Sequence, residues 1–125
     1  MKNLWLLLIV VLIFACKKEP TKEKTKTELL TQKNWRRISL IDLNDGQSLF
    51  EACATDDMYT FNTNGKFYYH PGTVKCGLEA AHTDNWSFSA EDSLKIGVTS
   101  YYISKLTEDT LTYLQYGWLE YKYVH

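Results

Sequence analysis

Arginine is almost missing from this chain: Arg36 and Arg37 are the only two among 125 residues. Lysine brings the basic total to 14 against 15 acidic side chains, a formal charge of -1. There is no basic stripe with which to follow a nucleic-acid backbone, so nucleic acid is excluded as a partner. No Gly-rich phosphate loop, Gly-x-Ser-x-Gly elbow or His-Glu-x-x-His occurs. His70, His82 and Cys76 are too scattered for a zinc site, and Cys76 is better used in a disulfide. Asn62-x-Asn64-Gly65 lacks the first carboxylate and the closing Glu of a calcium loop, and is better suited to a hairpin turn. Asp56-Asp57 is expected to cap a turn or stay solvated, with a bound cation the alternative. The expectation is a non-enzymatic protein with no cofactor and no metal. No amphipathic helix follows the first short turn, and the length allows one domain.

What is present begins with an apolar run. Lys2 gives a short positive start, and residues 4–14 are unbroken hydrophobics. Eleven helical residues rise about 16 Å, half of a ~30 Å hydrocarbon core. A cleaved secretory signal is therefore favoured over a spanning helix. Ile13-Phe14-Ala15-Cys16 resembles the lipobox of bacterial lipoproteins. That resemblance implies that residues 1–15 are a lipoprotein signal peptide and that Cys16 is acylated after cleavage, diacylated on sulfur and acylated on nitrogen. Several acyl chains, palmitate among them, at about 0.8 kcal/mol per buried CH₂ make a stable membrane anchor. Residues 17–27 hold five Lys, two Glu, one Pro and three Thr with no apolar side chain, so 16–27 is expected as a lipidated, charged, disordered tether. Lys17 argues against inner-membrane retention. The expected location is the outer membrane, on its periplasmic or surface face.

The remainder, residues 28–125, reads as antiparallel β. Thr27 is the expected N-cap of one helical turn. After it come short aromatic and β-branched runs, expected as strands at 35–43, 57–62, 66–70, 83–89, 93–97, 100–106, 110–116 and 118–124. Asn64-Gly65, Pro71-Gly72, Glu91-Asp92, Gly97, Glu108-Asp109 and Gly117 separate them. Eight short strands with mostly tight turns fit an up-and-down barrel, which removes exposed edges by closing on itself. A two-sheet sandwich is the alternative.

With Cys16 acylated, Cys53 and Cys76 remain as a pair. A hairpin folded symmetrically about Asn64-Gly65 would set Phe61 opposite Tyr68, Tyr59 opposite His70, and Cys53 opposite Cys76. A G1 bulge would shift this register by one. Either way the sulfurs reach the same end of the hairpin, and an oxidising envelope would join them.

The lipobox, the Lys-rich tether, Leu30…Trp35, Cys53-x-x-Asp56-Asp57-x-Tyr59-x-Phe61-x-x-Asn64-Gly65, Cys76, Trp86, Leu94-Lys95-Ile96 and Leu106-Thr107-x-x-x-Leu111 together resemble the lipocalin-like lipoproteins of Bacteroidetes. The resemblance implies a small calycin-type barrel on a lipid anchor, with no activity established for most members. Two departures stand out. The Gly-x-Trp of lipocalins is Lys33-Asn34-Trp35 here, and no Arg in the last strand is available to cover Trp35; Lys122 is the expected substitute.

Inward aromatics should be Tyr59, Phe61, Tyr69, Trp86, Phe88 and one of Tyr101 or Tyr102. They either fill the core or line a cavity, and strands of five to eight residues favour filling. If they line a cavity, the ligand-contacting set is Tyr59, Phe61, Tyr69, Trp86, Phe88 and Tyr102. Tyr113, Tyr116, Trp118, Tyr121 and Tyr123 crowd the final hairpin. They either form a surface patch for a glycan, a lipid or a protein, or divide between core and surface, the division being favoured. Asp92-Ser93-Leu94 and Asp109-Thr110-Leu111 resemble the Asp-Ser/Thr-aliphatic acceptor of Bacteroidetes O-glycosylation, with Ser93 and Thr110 as acceptors. His125 is expected to be mobile. The expected function is a monomeric, lipid-anchored envelope protein binding a small apolar or carbohydrate-like ligand. A protein-interaction module, such as an inhibitor of an envelope hydrolase, is the alternative.

Overall fold

Period-2 alternation of large apolar and polar residues is satisfied by a sheet with one wet face and one dry one. A computed structural model, which describes residues 20–125, closes that sheet into a barrel. Cys16, the leader before it and the first linker residues lie outside the described residues. The strands are β1 (Trp35–Asp42), β2 (Met58–Phe61), β3 (Lys66–His70), β4 (His82–Ala90), β5 (Ser93–Ile96), β6 (Thr99–Leu106), β7 (Thr110–Gln115) and β8 (Leu119–Val124). Each pairs antiparallel with the next, and β8 returns to β1. The all-β, eight-stranded up-and-down barrel expected from the sequence is the fold observed. Every strand end falls within one residue of its expected position.

The first helix differs in detail. α1 (Lys26–Thr31) is capped by Thr25, not Thr27. Thr25 and Glu28 form a reciprocal capping box: Glu28 N–H donates to the Thr25 hydroxyl, and Thr25 N–H donates to the Glu28 carboxylate at 2.7 Å. Glutamate three residues after a threonine outcompetes the later Thr27 because it satisfies two free amides at once. Lys24 pairs with Glu108 at 2.8 Å and Lys26 with Asp92 at 2.6 Å. These contacts lay α1 across the turns that join β4 to β5 and β6 to β7.

That end of the barrel is sealed. Leu30 and Trp35 are fully buried, and the Trp35 indole N–H donates to the Leu30 carbonyl at 2.8 Å. The bond satisfies a carbonyl that the short helix leaves free. His125, not Lys122, covers Trp35, its ring centroid 3.9 Å away. Lys122 points outward from β8. The His125 Nδ1 lies 2.9 Å from the Asn34 carbonyl, so this residue is held by two contacts and is not free. Phe61, Trp86, Leu94, Ile103 and Leu111 pack with Leu30 and Trp35 in the buried core, which fills this half of the barrel.

The β2–β3 hairpin takes the shifted register. Phe61 faces Phe67 and Tyr59 faces Tyr69, one residue away from the symmetric pairing. Gly65, at φ +78°, supplies the left-handed residue of a three-residue loop. Its N–H donates to the Asn62 carbonyl, and Asn62 N–H donates to the Lys66 carbonyl, the pattern of a G1 bulge. The ladder ends at Met58 and His70. Beyond it Cys53, on a 3₁₀ turn at Ala52–Ala54, and Cys76 form a disulfide with Cα atoms 5.2 Å apart. The bridge joins the β1–β2 and β3–β4 connections. It closes a loop of about 24 residues, worth about 3.5 kcal/mol in the chain-entropy model. The double substitution C53S/C76S is therefore expected to lower stability by about 2–4 kcal/mol in urea denaturation. The intact mass of the wild-type protein should sit two hydrogens below its reduced value.

Candidate functional site

The interior is not filled throughout, as the strand lengths suggested it would be. At the end opposite α1 a cavity of about 510 Å³ opens between the loops. Its position follows from the alternation along three strands. On β1, the residue two after the plugging Trp35 is Arg37, one pleat higher on the same face. On β7 and β8, Tyr113 and Tyr121 follow the same rule one pleat above Leu111 and its cross-strand partner Tyr123. Tyr59 from β2, Tyr69 from β3 and Tyr101 from β6 complete a wall of six tyrosines. Glu79 and Ala80 from the β3–β4 connection, with His82 and Asp84 from β4, form the side facing β1 across the barrel.

The phenols are organised in pairs. Tyr113 and Tyr123 share a hydroxyl–hydroxyl bond of 2.6 Å, and Tyr121 donates to the Gln115 amide oxygen at 2.7 Å. The Tyr69 hydroxyl lies 3.0 Å from Asp57 and 3.1 Å from Glu79, so one proton is shared between two carboxylates. Asp57 is fully buried and also accepts the Gly72 N–H at 2.9 Å. Asp56 accepts the Thr73 N–H and hydroxyl, and the Thr73 N–H bond holds its carboxyl below the usual carboxylate range. Both aspartates therefore bind the β3–β4 loop, fifteen to seventeen residues on, rather than capping their own turn or staying solvated as the sequence led one to expect.

Arg37 has no such engagement. Its guanidinium carbon sits 5.6 Å from the Tyr59 ring centroid, a cation–π contact. Its Nε is buried with no hydrogen-bond partner among the described residues, and none of the ion pairs there involves it. Glu51, Cys53 and Cys76 cluster within 4.8 Å, but both sulfurs are spent in the disulfide and offer no thiolate to a metal.

Of the expected ligand-contacting residues, Tyr59 and Tyr69 line the cavity. Phe61 and Trp86 belong to the filled half, where their rings meet edge to face at 5.8 Å, and Phe88 packs against that same core. Tyr102 is 56 % exposed and faces outward; its neighbour Tyr101 takes the inward position. The register shift between Ile103 and Lys105 explains the exchange. Counting back from Leu106 across the bulge reverses the faces. The final hairpin divides as favoured, with Tyr113, Tyr121 and Tyr123 inward, Tyr116 73 % exposed and Trp118 at the mouth. Ser93 and Thr110 open β5 and β7 at the sealed end, where Ser93 accepts a hydrogen bond from Ser89. Arg37 is a cavity-lining residue outside the expected set, as are Tyr101, Tyr113, Tyr121 and Tyr123. For Arg37 the spacing of two from Trp35 was the available signal.

The architecture is that of a lipocalin-like barrel, closed at one end and open at the other. Its fold matches the crystal structure of a lipocalin-like protein from Bacteroides uniformis with a TM-score of 0.57 and 14 % identity, over 77 % of this chain and 97 % of that one. At that identity the likeness is one of fold. No protein-family model and no curated protein matches the chain.

Burial pushes the phenols of Tyr59, Tyr69, Tyr101, Tyr113, Tyr121 and Tyr123 up, that of Tyr59 to about 12. A raised folded-state value favours the protonated form. The stability it contributes is complete below the ordinary tyrosine range and is lost as pH rises from that range through the raised folded-state values. Absorbance at 295 nm should therefore show these six, of nine tyrosines in all, still protonated where free tyrosine is half-ionised. They should ionise only as the β-sheet circular dichroism is lost. A second expectation concerns Gly72, where an added Cβ would lie 1.9 Å from the Asp56 side chain. Gly72→Ala should cost about 1–3 kcal/mol in urea denaturation by displacing that carboxylate; an unchanged midpoint would show that the loop yields freely.

Proposed function

We propose that the protein is a non-enzymatic binding protein that holds a small organic ligand, partly apolar or carbohydrate-like, in the mouth of its barrel. The observation that carries this reading is the open, tyrosine-walled cavity of about 510 Å³ above a sealed floor. The volume lies within the usual range for small-molecule sites, about 300–1,000 Å³. Tyrosine suits either ligand type, since its ring stacks on an apolar or sugar face while its hydroxyl bonds to polar edges. Together with the lipobox resemblance and the charged linker, the reading extends to a monomer tethered to the outer membrane through acylated Cys16.

A second reading, a protein-interaction module, is favoured by one feature of the rim. Leu43, Leu49, Val74, Leu78, Val98 and Tyr116 are all exposed, and all lie on connections at the open end. Tyr116 also holds φ at +57°, a left-handed conformation that costs a non-glycine residue about 1 kcal/mol or more. It stacks on Trp118 at 6.1 Å.

Native mass spectrometry of the protein purified from its own cells separates these readings. The expected result is a monomer whose covalent mass includes acyl chains on Cys16, with a small molecule that is released on unfolding. A glycan on Ser93 or Thr110 would appear in the same spectrum. Recovery with a protein partner and no small molecule would replace the first reading with the second, and an unacylated Cys16 would remove the membrane anchor.

A further inference from the structure

The cavity is electrically lopsided. Arg37 stands on the β1 wall, one pleat above the Trp35 plug, and Glu79 and Asp84 line the opposite side. Those two carboxylates already face partners: Glu79 takes the Tyr69 hydroxyl at 3.1 Å, and Asp84 lies 3.6 Å from the His82 imidazole. Asp57, the acid whose charge reaches Arg37, is committed to Tyr69 and Gly72. The guanidinium is left with a tyrosine ring beneath it and no hydrogen-bond acceptor on its buried Nε. Arg37 as a whole is half-buried at the cavity; a buried donor such as its Nε left without an acceptor is costly. The planar fork of a guanidinium matches a carboxylate two bonds to two. Arg36, one residue earlier, is exposed on the outer face, so of the two arginines only Arg37 faces the cavity.

Resting on the reading of the cavity as a binding site, we infer that its ligand is an organic acid carrying one carboxylate, which pairs with Arg37 while its aromatic or aliphatic body lies among the tyrosines. The ring of Tyr59 fixes the guanidinium plane, and the phenols of Tyr113 and Tyr123, already bonded to each other, present ring faces to the ligand. Glu79 and Asp84 repel a second negative charge on their side, which restricts the class to monoanions whose outer end is neutral or hydroxylated.

The test compares two acids, 2-naphthoate and decanoate, with their uncharged primary amides by isothermal titration calorimetry at pH 7 on the disulfide-intact protein. Each acid should bind about 10- to 100-fold more tightly than its amide, as expected for a charge-assisted hydrogen bond in a partly dry site. In Arg37→Met the preference should vanish, acid and amide binding with equal affinity, and in Arg37→Lys most of it should return. Near-UV circular dichroism checks that Arg37→Met is folded; if it is not, the wild-type comparison decides alone. Equal binding of acid and amide to the wild type, or a preference that survives in Arg37→Met, overturns the assignment and leaves the cavity a binding site. Failure of all four compounds to bind overturns both.

Discussion

The hydrogen bond from the Trp35 indole to the Leu30 carbonyl is the contact on which the architecture rests. A closed eight-stranded sheet has no edges, but it has two ends, and an apolar interior must be shut at one of them. Here a six-residue helix does so. So short a helix has almost no stability of its own. It persists because a capping box closes its first turn, Lys24 and Lys26 tie it to two barrel turns, and its buried Leu30 accepts the Trp35 indole N–H. The same tryptophan fixes the face of β1, and through β1 the level at which Arg37 enters the interior. Sealing one end and charging the other are consequences of one side chain's position.

The strands were legible because each carries its own alternation and its own turn residues. The site was less so, for reasons that particular residues make plain. Bulges at Arg37/Ser39, Phe88/Ala90 and Ile103/Lys105 switch the inward face partway along three strands. Alternation counted from one end then assigns Tyr102 where Tyr101 belongs. The Gly65 bulge moves a whole hairpin by one residue without altering which residues are apolar. His125 has no local signal, since its place depends on Trp35, ninety residues earlier in the chain. Cavity formation was also hidden. Six inward tyrosines look like core material by size, yet hydroxyls that bond to one another, to Gln115 and to Asp57 keep the rings against the wall.

The open end is held differently from the closed one. β1 pairs with β2 only at Trp35–Tyr59 and Arg36–Met58, so its upper half depends on β8 and on the loop that precedes β2. That loop is tied to the β3–β4 connection twice, by the disulfide and by the bonds from Gly72 and Thr73 to Asp57 and Asp56. The two longest connections therefore behave as one rim piece, and the mouth is shaped before anything occupies it. Preorganisation of this kind lowers the ordering cost of binding.

The placement of α1 gives the barrel a direction. The chain reaches the folded part from beneath, at the sealed base, and the cavity faces the other way. Anything that holds the protein by the segment preceding Pro20 holds it as a cup is held by its foot. The opening then stands away from the point of attachment by the height of the barrel. Strands of eight residues, such as β1, rise about 26 Å when upright and less when tilted. A surface on which the foot stands and a solute entering the cup approach from opposite sides, and neither obstructs the other.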